Sequence, residues 1–414
     1  LRGRLRELLF GAIHAFPDIA ERYLGRLMSM DGIGREAWPA ILTYAPLFVR
    51  TRPGLHAHAL LHAMGGELPR ARLERLRRED EEQLRLAEAT PPHSMERELL
   101  RPSGLRADIN RWDWDQLALE RASDLFYPPT PDTEPFRSLF SHAPSEALRL
   151  VRGLANHAVA AWRELHQLDR QDGATPLPLT LVFPWGEETY WGAEREYFAY
   201  RAAFAPPVLA AGLMAMEDWA FSRLEAGEER DDIIRDVVSD CSHNAVLGIA
   251  AALALTELRA SEVVLPIASS QRLGRWGLQR MGRIDQGTAA NEIGALGRPE
   301  YVRPLRRANS RPARERWIRQ LAPLFALCSD EALQSRFSDA LRAFRTDPAR
   351  DFEEEGEDAA LLAARRRGGG RWGGPGEPDG FVAEQTPDGV LIREVPFLPA
   401  DTGEAEDVAS HQET

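Results

Sequence analysis

Eleven consecutive residues, Ala245-Val246-Leu247-Gly248-Ile249-Ala250-Ala251-Ala252-Leu253-Ala254-Leu255, carry no polar side chain. At this length, with helix-forming Ala and Leu throughout, the run reads as a helix. A helix that is apolar on every side must be covered on every side. Its sequence neighbours are the simplest cover, so Pro206 to Arg280 reads as consecutive stacked helices. Pro206-Pro207 opens the first, because proline at the first turn loses no hydrogen bond. Its apolar stripe is Leu209, Leu213, Met216, Ala220 and Leu224. Glu217, Asp218, Ser222 and Glu225 fall on the other face, and Gly227 is the expected stop. The second helix starts near Asp231-Asp232 and buries Ile234, Val237, Val238 and Cys241. Ser242 is the expected cap of the all-apolar helix.

The rest of the chain follows the same style. Residues 1–100 read as short helices divided by Pro or Gly: Leu5, Leu8, Leu9, Ile13 and Phe16; then Ile19, Tyr23, Leu24, Leu27 and Met28; then Trp38, Ile41, Leu42 and Ala45; then Leu55, Leu60, Leu61 and Met64. No period is strict enough to name a repeat family. The charged stretch Arg70–Glu88 predicts an exposed helix. Residues 101–143, with Pro128-Pro129, Pro131 and Pro135, predict an irregular connection that contains Arg111-Trp112-Asp113-Trp114-Asp115. The central array spans 144–350. Pro144 opens its longest helix, with Leu148, Val151, Ala155, Ala158, Trp162 and Leu165 in one seam.

Strand alternation appears at Leu177, Leu179, Leu181 and Phe183, predicting a hairpin inserted at about 177–192. Residues 281–300 are glycine-rich and weakly patterned, and helices are expected to resume over Arg314–Cys328 and Asp330–Phe344. Residues 351–380 read as an acidic and glycine-rich linker. Residues 381–414 read as a small hairpin, turning at Pro387-Asp388-Gly389, and a disordered acidic tail. The predicted fold class is mainly α: a stacked helix-pair array, superhelical or solenoid-like, with a small inserted β-hairpin and a flexible C-terminal tail.

Composition narrows the chemistry. The 414 residues are 43% hydrophobic, enough for a sizeable core, and the net charge of −13 argues against wholesale coating of nucleic acid. Every basic side chain other than histidine is arginine, so neither a Schiff-base lysine nor a P-loop lysine can come from this chain. The missing lysines, with abundant Ala, Gly and Pro, read as the coding bias of a bacterium. Cys241 and Cys328 do not make a disulfide framework and are expected as free thiols. With no signal-peptide pattern and no uncharged run near the length of a membrane span, a cytoplasmic protein without a membrane partner is expected. The chain opens at Leu1 already in helical pattern, as a piece of a longer protein would.

His58 and His62 share a helix face at i, i+4, with His56 nearby, a spacing that metal ligands use. No third ligand is indicated, so helix-surface histidines are expected. Gly32-Ile33-Gly34 and the glycines of 368–374 lack the strand and helix that a phosphate loop requires. Asp240-Cys241-Ser242-His243-Asn244 gathers reactive types at a helix junction, where turn and cap chemistry suffices. Neither a catalytic residue nor a metal or cofactor is assigned. The most asymmetric feature is Arg259–Arg319, thirteen arginines against five acids, with Trp276, Tyr301 and Trp317 interleaved. Arginine with aromatics suits phosphate contact and base stacking, with Arg303, Arg306, Arg307, Arg311 and Arg314 as the candidate contacts. The plainer reading is that these arginines pair with the chain's own acids.

Four stretches carry a resemblance. Glu196-Tyr197-Phe198, the Pro206-Pro207 start, Leu213-Met214-Ala215-Met216-Glu217-Asp218-Trp219 and Ser242-His243-Asn244-Ala245-Val246-Leu247-Gly248 look like the helical region downstream of the ATPase module in large bacterial STAND or NACHT-like signalling proteins. Phe337–Glu355 is similar too, so the likeness covers residues 145–355. It implies a sensor, scaffold or lid whose ATPase lies outside this chain. The leading expectation is therefore a non-catalytic interaction module, with a protein or other domains of a parent protein as partner. The alternative is a nucleic-acid-contacting module using 259–319. An orphan hydrolase near His58 or Asp240–His243 is the third.

Overall fold

The computed structural model describes residues 2–29, 37–91, 95–100, 109–119, 121–169, 174–285, 292, 295, 298–343, 350–354, 381–386 and 389–394. The protein is mainly α, a stacked helical array with small antiparallel strand pairs. Among the described residues no helix is long and apolar enough to cross a membrane. The glycine-rich stretch 368–374, the tail from 395, the Gly32-Ile33-Gly34 segment and the turn residues Pro387-Asp388 lie outside the described residues.

Proline opens helices here more than it ends them. The N-terminal array is α1 (Arg2–Gly11), α2 (Pro17–Ser29), α3 (Trp38–Thr43), α4 (Ala45–Thr51), α5 (Pro53–Met64) and α6 (Pro69–Ala89). Pro39, Pro46, Pro53 and Pro69 each occupy a first-turn position, where the absent N–H would have had no partner anyway. Pro46, one of the prolines that divide the short helices, therefore also starts the next one. The long α6 is charged and mostly exposed, as its sequence predicts.

The connection is more ordered than expected. α7 (Met95–Leu100) precedes it, and it holds α8 (Arg111–Gln116) and α9 (Phe136–His142). Asn110 caps α8 through a reciprocal pair, its Oδ1 accepting from the Asp113 N–H while the Asp113 carboxylate accepts from the Asn110 N–H. The longest helix is α10 (Pro144–Leu168), whose apolar seam from Ala147 to Leu165 is buried. It packs on α5 on one side, so a single apolar core runs from Phe10 to Leu341.

Then come β1 (Ala174–Pro176), β2 (Leu179–Phe183) and β3 (Gly186–Tyr190). β2 and β3 form the expected hairpin, with Phe183 opposite Gly186. The turn is Pro184-Trp185. The central helices follow as α11 (Glu194–Tyr197), α12 (Pro207–Glu225), α13 (Arg230–Val238), α14 (Ala245–Thr256), α15 (Leu265–Ala268) and α16 (Gln271–Arg280). Every residue of α14 from Ala245 to Leu255 is buried, which places the all-apolar helix at the centre. Gly248 is where Tyr200 crosses it: a Cβ there would overlap the tyrosine ring.

Three local expectations are corrected. Glu217 is only 1% exposed rather than on an open face, because α12 is covered on both sides. Ser242 does not cap α14; its Oγ donates to Asn156 Oδ1 at 2.9 Å. His243 Nδ1 instead accepts from the Ala245 N–H at 3.1 Å. Finally, helix resumes earlier than the expected Arg314: α17 (Pro299–Asn309) precedes α18 (Ala322–Ala326) and α19 (Glu331–Ala343). The expected Arg314–Cys328 helix shrinks to α18 and short 3-10 turns. Prolines at 312 and 323 divide that stretch, since neither can donate to a preceding turn. β4 (Phe352–Glu354) pairs with β1, and β5 (Phe381–Thr386) with β6 (Gly389–Glu394).

Candidate interaction groove

Part of the arginine-rich stretch is turned inward: Arg280, Arg311 and Arg314 are buried. Glu217 on α12 is its hub. Arg314 Nη2 lies 2.6 Å from both Glu217 oxygens, and Arg311 Nη1 lies 3.1 Å from Oε2. Arg311 also reaches Asp218 at 2.6 Å and covers the Phe221 ring at 4.2 Å. Burial by itself raises the Glu217 carboxyl, but the guanidinium groups of Arg314, Arg311 and Arg201 outweigh it. The net effect holds it below its ordinary value. A second buried knot joins Arg201 and Arg280 to the Asp285 carboxylate at 2.8 and 2.5 Å. Other arginines satisfy carbonyls: Arg316 donates to Leu255 O at 2.6 Å, at the end of α14, and Arg280 donates to Arg316 O at 2.6 Å.

The five candidate phosphate contacts therefore separate. Arg311 and Arg314 are buried on Glu217. Arg307 pairs with Asp218 at 2.8 Å and Asp132 at 3.3 Å, and Arg306 pairs with Glu292 at 3.0 Å. Arg303 stands exposed on α17. They do not share one open face. Arg275 reaches Asp351 at 2.5 Å, the internal pairing that the plainer reading expected.

The histidines separate as well. His56 is buried against Phe48, and burial lowers its pKa to about 4. His58 is exposed, and His62 Nε2 meets Met28 O at 2.9 Å. Among the described residues no group of three or more His, Cys, Asp or Glu side chains could hold a metal. At the Asp240–Asn244 junction the reactive types also point apart. The Asp240 side chain is 84% exposed, while Cys241 and His243 are buried. Burial pushes the thiol up to about 11 and the imidazole down to about 4, so neither is a thiolate or a cation near neutral pH. The junction acts as a clamp: Asn156 Nδ2 donates to Asp240 O at 3.0 Å, and the Ser242 N–H donates to Asn156 Oδ1 at 2.7 Å. Trp191 and Asn244 complete it through backbone bonds. Asp240 itself has φ +59°, a conformation that Asp tolerates better than most residues.

What the sequence did not announce is a groove of about 670 Å³ beside the inserted hairpin. Residues 177–182 form one wall. Leu265 and Pro266 of α15, with Ser269, Ser270 and Gln271 at the start of α16, form the floor. Arg336, Asp339 and Ala340 of α19, with Arg272 and Arg350, complete the rim. The wall is an open strand edge. In the β2–β3 register, Phe183 pairs with Gly186 across the turn, so Phe183, Leu181 and Leu179 occupy the bonded positions of the ladder. Thr180 and Val182 then direct their N–H and C=O groups to the outer edge. Those groups have no backbone partner outside the hairpin among the described residues. The only sequence signal was the alternation of β2, since its neighbours come from residues some 85 to 170 positions later.

A second hollow, of about 330 Å³, lies between α6 and α8. Its charges are already matched: Arg72 pairs with Asp113, and Arg75 pairs with Glu67 at 2.9 Å. No family model matches this chain, and no curated protein matches it.

Proposed function

We propose that this chain is a non-catalytic helical interaction module that docks a protein partner in the groove beside β2. The observation that carries this reading is the open edge of β2 facing the groove. An unpaired edge is a template for a further strand, and an α array that leaves such an edge beside a groove provides a rigid platform for it. The likeness to the helical region of STAND or NACHT-like proteins supports a bacterial, cytoplasmic sensor or scaffold role. In that role docking here is relayed to an ATPase elsewhere in a parent protein. The inward turn of Arg311 and Arg314 on Glu217 favours this reading over nucleic-acid contact through 259–319.

Selection of short peptides by display on the purified chain tests it, with the Val182→Pro variant as counter-screen. Proline at 182 removes an outward N–H and leaves the β2–β3 bonds in place. Enriched peptides that bind the wild type and not the variant support the reading. Peptides that bind both alike, or no enrichment, overturn it.

A further inference from the structure

This inference rests on the reading of the groove as a docking site and names its partner class. We infer that the groove accepts an acidic, extended segment of a partner protein, added as a strand along the outer edge of β2.

Three observations converge. First, the edge is short and undefended. Natural edges are blunted by charge, by proline or by cover. Here Pro178 and Pro184 bracket the strand, but Thr180 and Val182 between them carry no charge, and Val182 is 62% exposed. Residues 180 and 182 are two apart, the repeat at which an added strand makes its bonds. Second, the floor offers both halves of a strand's needs. Leu265 and Pro266 are apolar and buried, suited to an inward side chain. The buried Oε1 of Gln271 has no hydrogen-bond partner among the described residues and so can accept one from an incoming donor. Third, the rim is positive in an acidic chain. Arg272, Arg336 and Arg350 stand against Asp339 and against Glu262, the ion-pair partner of Arg336, three positive charges less two negative, or +1, whereas the whole chain is −13. Arg336 is 51% exposed, and its ion pair with Glu262 is itself half exposed. Such pairs contribute little, so a partner carboxylate can exchange into it at small cost. Opposite charge on the partner would steer encounter and select against basic segments.

The test uses the full chain and three fluorescein-labelled peptides of equal length in an anisotropy titration. One alternates valine with glutamate, one valine with serine, one valine with arginine. The acidic peptide should bind most tightly, and its affinity should fall as salt rises. Val182→Pro should weaken it by about fivefold, the loss of one edge hydrogen bond. Arg336→Glu, on an exposed helix face and therefore safe for folding, should weaken the acidic peptide and not the serine one. Equal binding of all three peptides, still sensitive to Val182→Pro, overturns the acidic preference while the docking reading stands. Failure of every peptide overturns both. Two other occupants are distinguished by the free chain. A dimer in sedimentation that Val182→Pro dissociates assigns the edge to a second copy. Protection of the Thr180 and Val182 amides from hydrogen exchange, released by salt, assigns it to the chain's own acidic C-terminal segment. Either result overturns the proposal.

Discussion

Arg314 places one guanidinium nitrogen 2.6 Å from both carboxylate oxygens of Glu217, a residue 97 positions earlier. Both side chains are buried, 4% and 1% exposed. The pair ties the arginine-rich stretch to α12, beside the central helix. Its charges were removed from water together, and each is tolerable there only because the other is present.

Glu217→Gln should therefore destabilise the protein by about 3 kcal/mol or more, because it strands Arg314 and Arg311 without their counter-charge. Urea denaturation followed by circular dichroism measures this. A loss within about 0.5 kcal/mol, the range of ordinary surface changes, would show that the pair is dispensable.

Stability should also fall with acid in two successive windows. His56 and His243 are both lowered to about 4 from 6.5 by burial. Between those values the unfolded chain binds more protons than the folded one, so stability rises with pH there and is lost as pH drops from 6.5 toward 4. Each histidine contributes about 3 kcal/mol across the full window. Glu217, held below its ordinary 4.5 by Arg314, Arg311 and Arg201, contributes stability present above 4.5 and lost only below it. Denaturant midpoints across pH 7 to 4 test the first window. In His56→Phe the slope between pH 6 and 5 should shrink, and an unchanged slope would contradict the assignment.

The central helix should tolerate almost nothing. Ala251 is 3% exposed, so Ala251→Asp buries an unpaired charge and should cost several kcal/mol, about 4 or more. Gly248→Ala is the subtler variant. It gains about 1 kcal/mol of helix propensity, but its methyl group meets the Tyr200 ring, and overpacking costs about 1–3 kcal/mol. Thermal melts should show both variants below wild type. A Gly248→Ala protein as stable as wild type would mean that Tyr200 can leave the helix surface freely.

Nucleic-acid binding should be weak. Only exposed arginines can release counterions from phosphates, and Arg311 and Arg314 are not among them. At low salt, Arg306→Gln with Arg307→Gln should change anisotropy with a labelled single-stranded oligonucleotide by less than about twofold, and the salt slope should stay shallow. A steep slope that flattens in this variant would restore the 259–319 face as a binding surface.

The all-apolar run at 245–255 determined its own place at the centre, because such a helix has no face to offer water. The proline positions determined where helices begin, and the alternation from Leu177 to Phe183 determined a hairpin. These are local properties, readable from periods of 3.6 and 2 residues. Glu217 followed the same periodicity to the wrong face. Its burial depends on what covers α12, namely Arg311 and Arg314, and no local pattern encodes a partner 97 residues away. The same holds for Ser242, whose hydroxyl found Asn156 across the fold instead of the helix it precedes. The groove is tertiary altogether: β2 supplies an edge, but its floor and rim exist only once α15, α16 and α19 have packed beside it. Charge and hydropathy in sequence state what each residue can do; the packing of distant elements decides which of those capacities remains facing solvent.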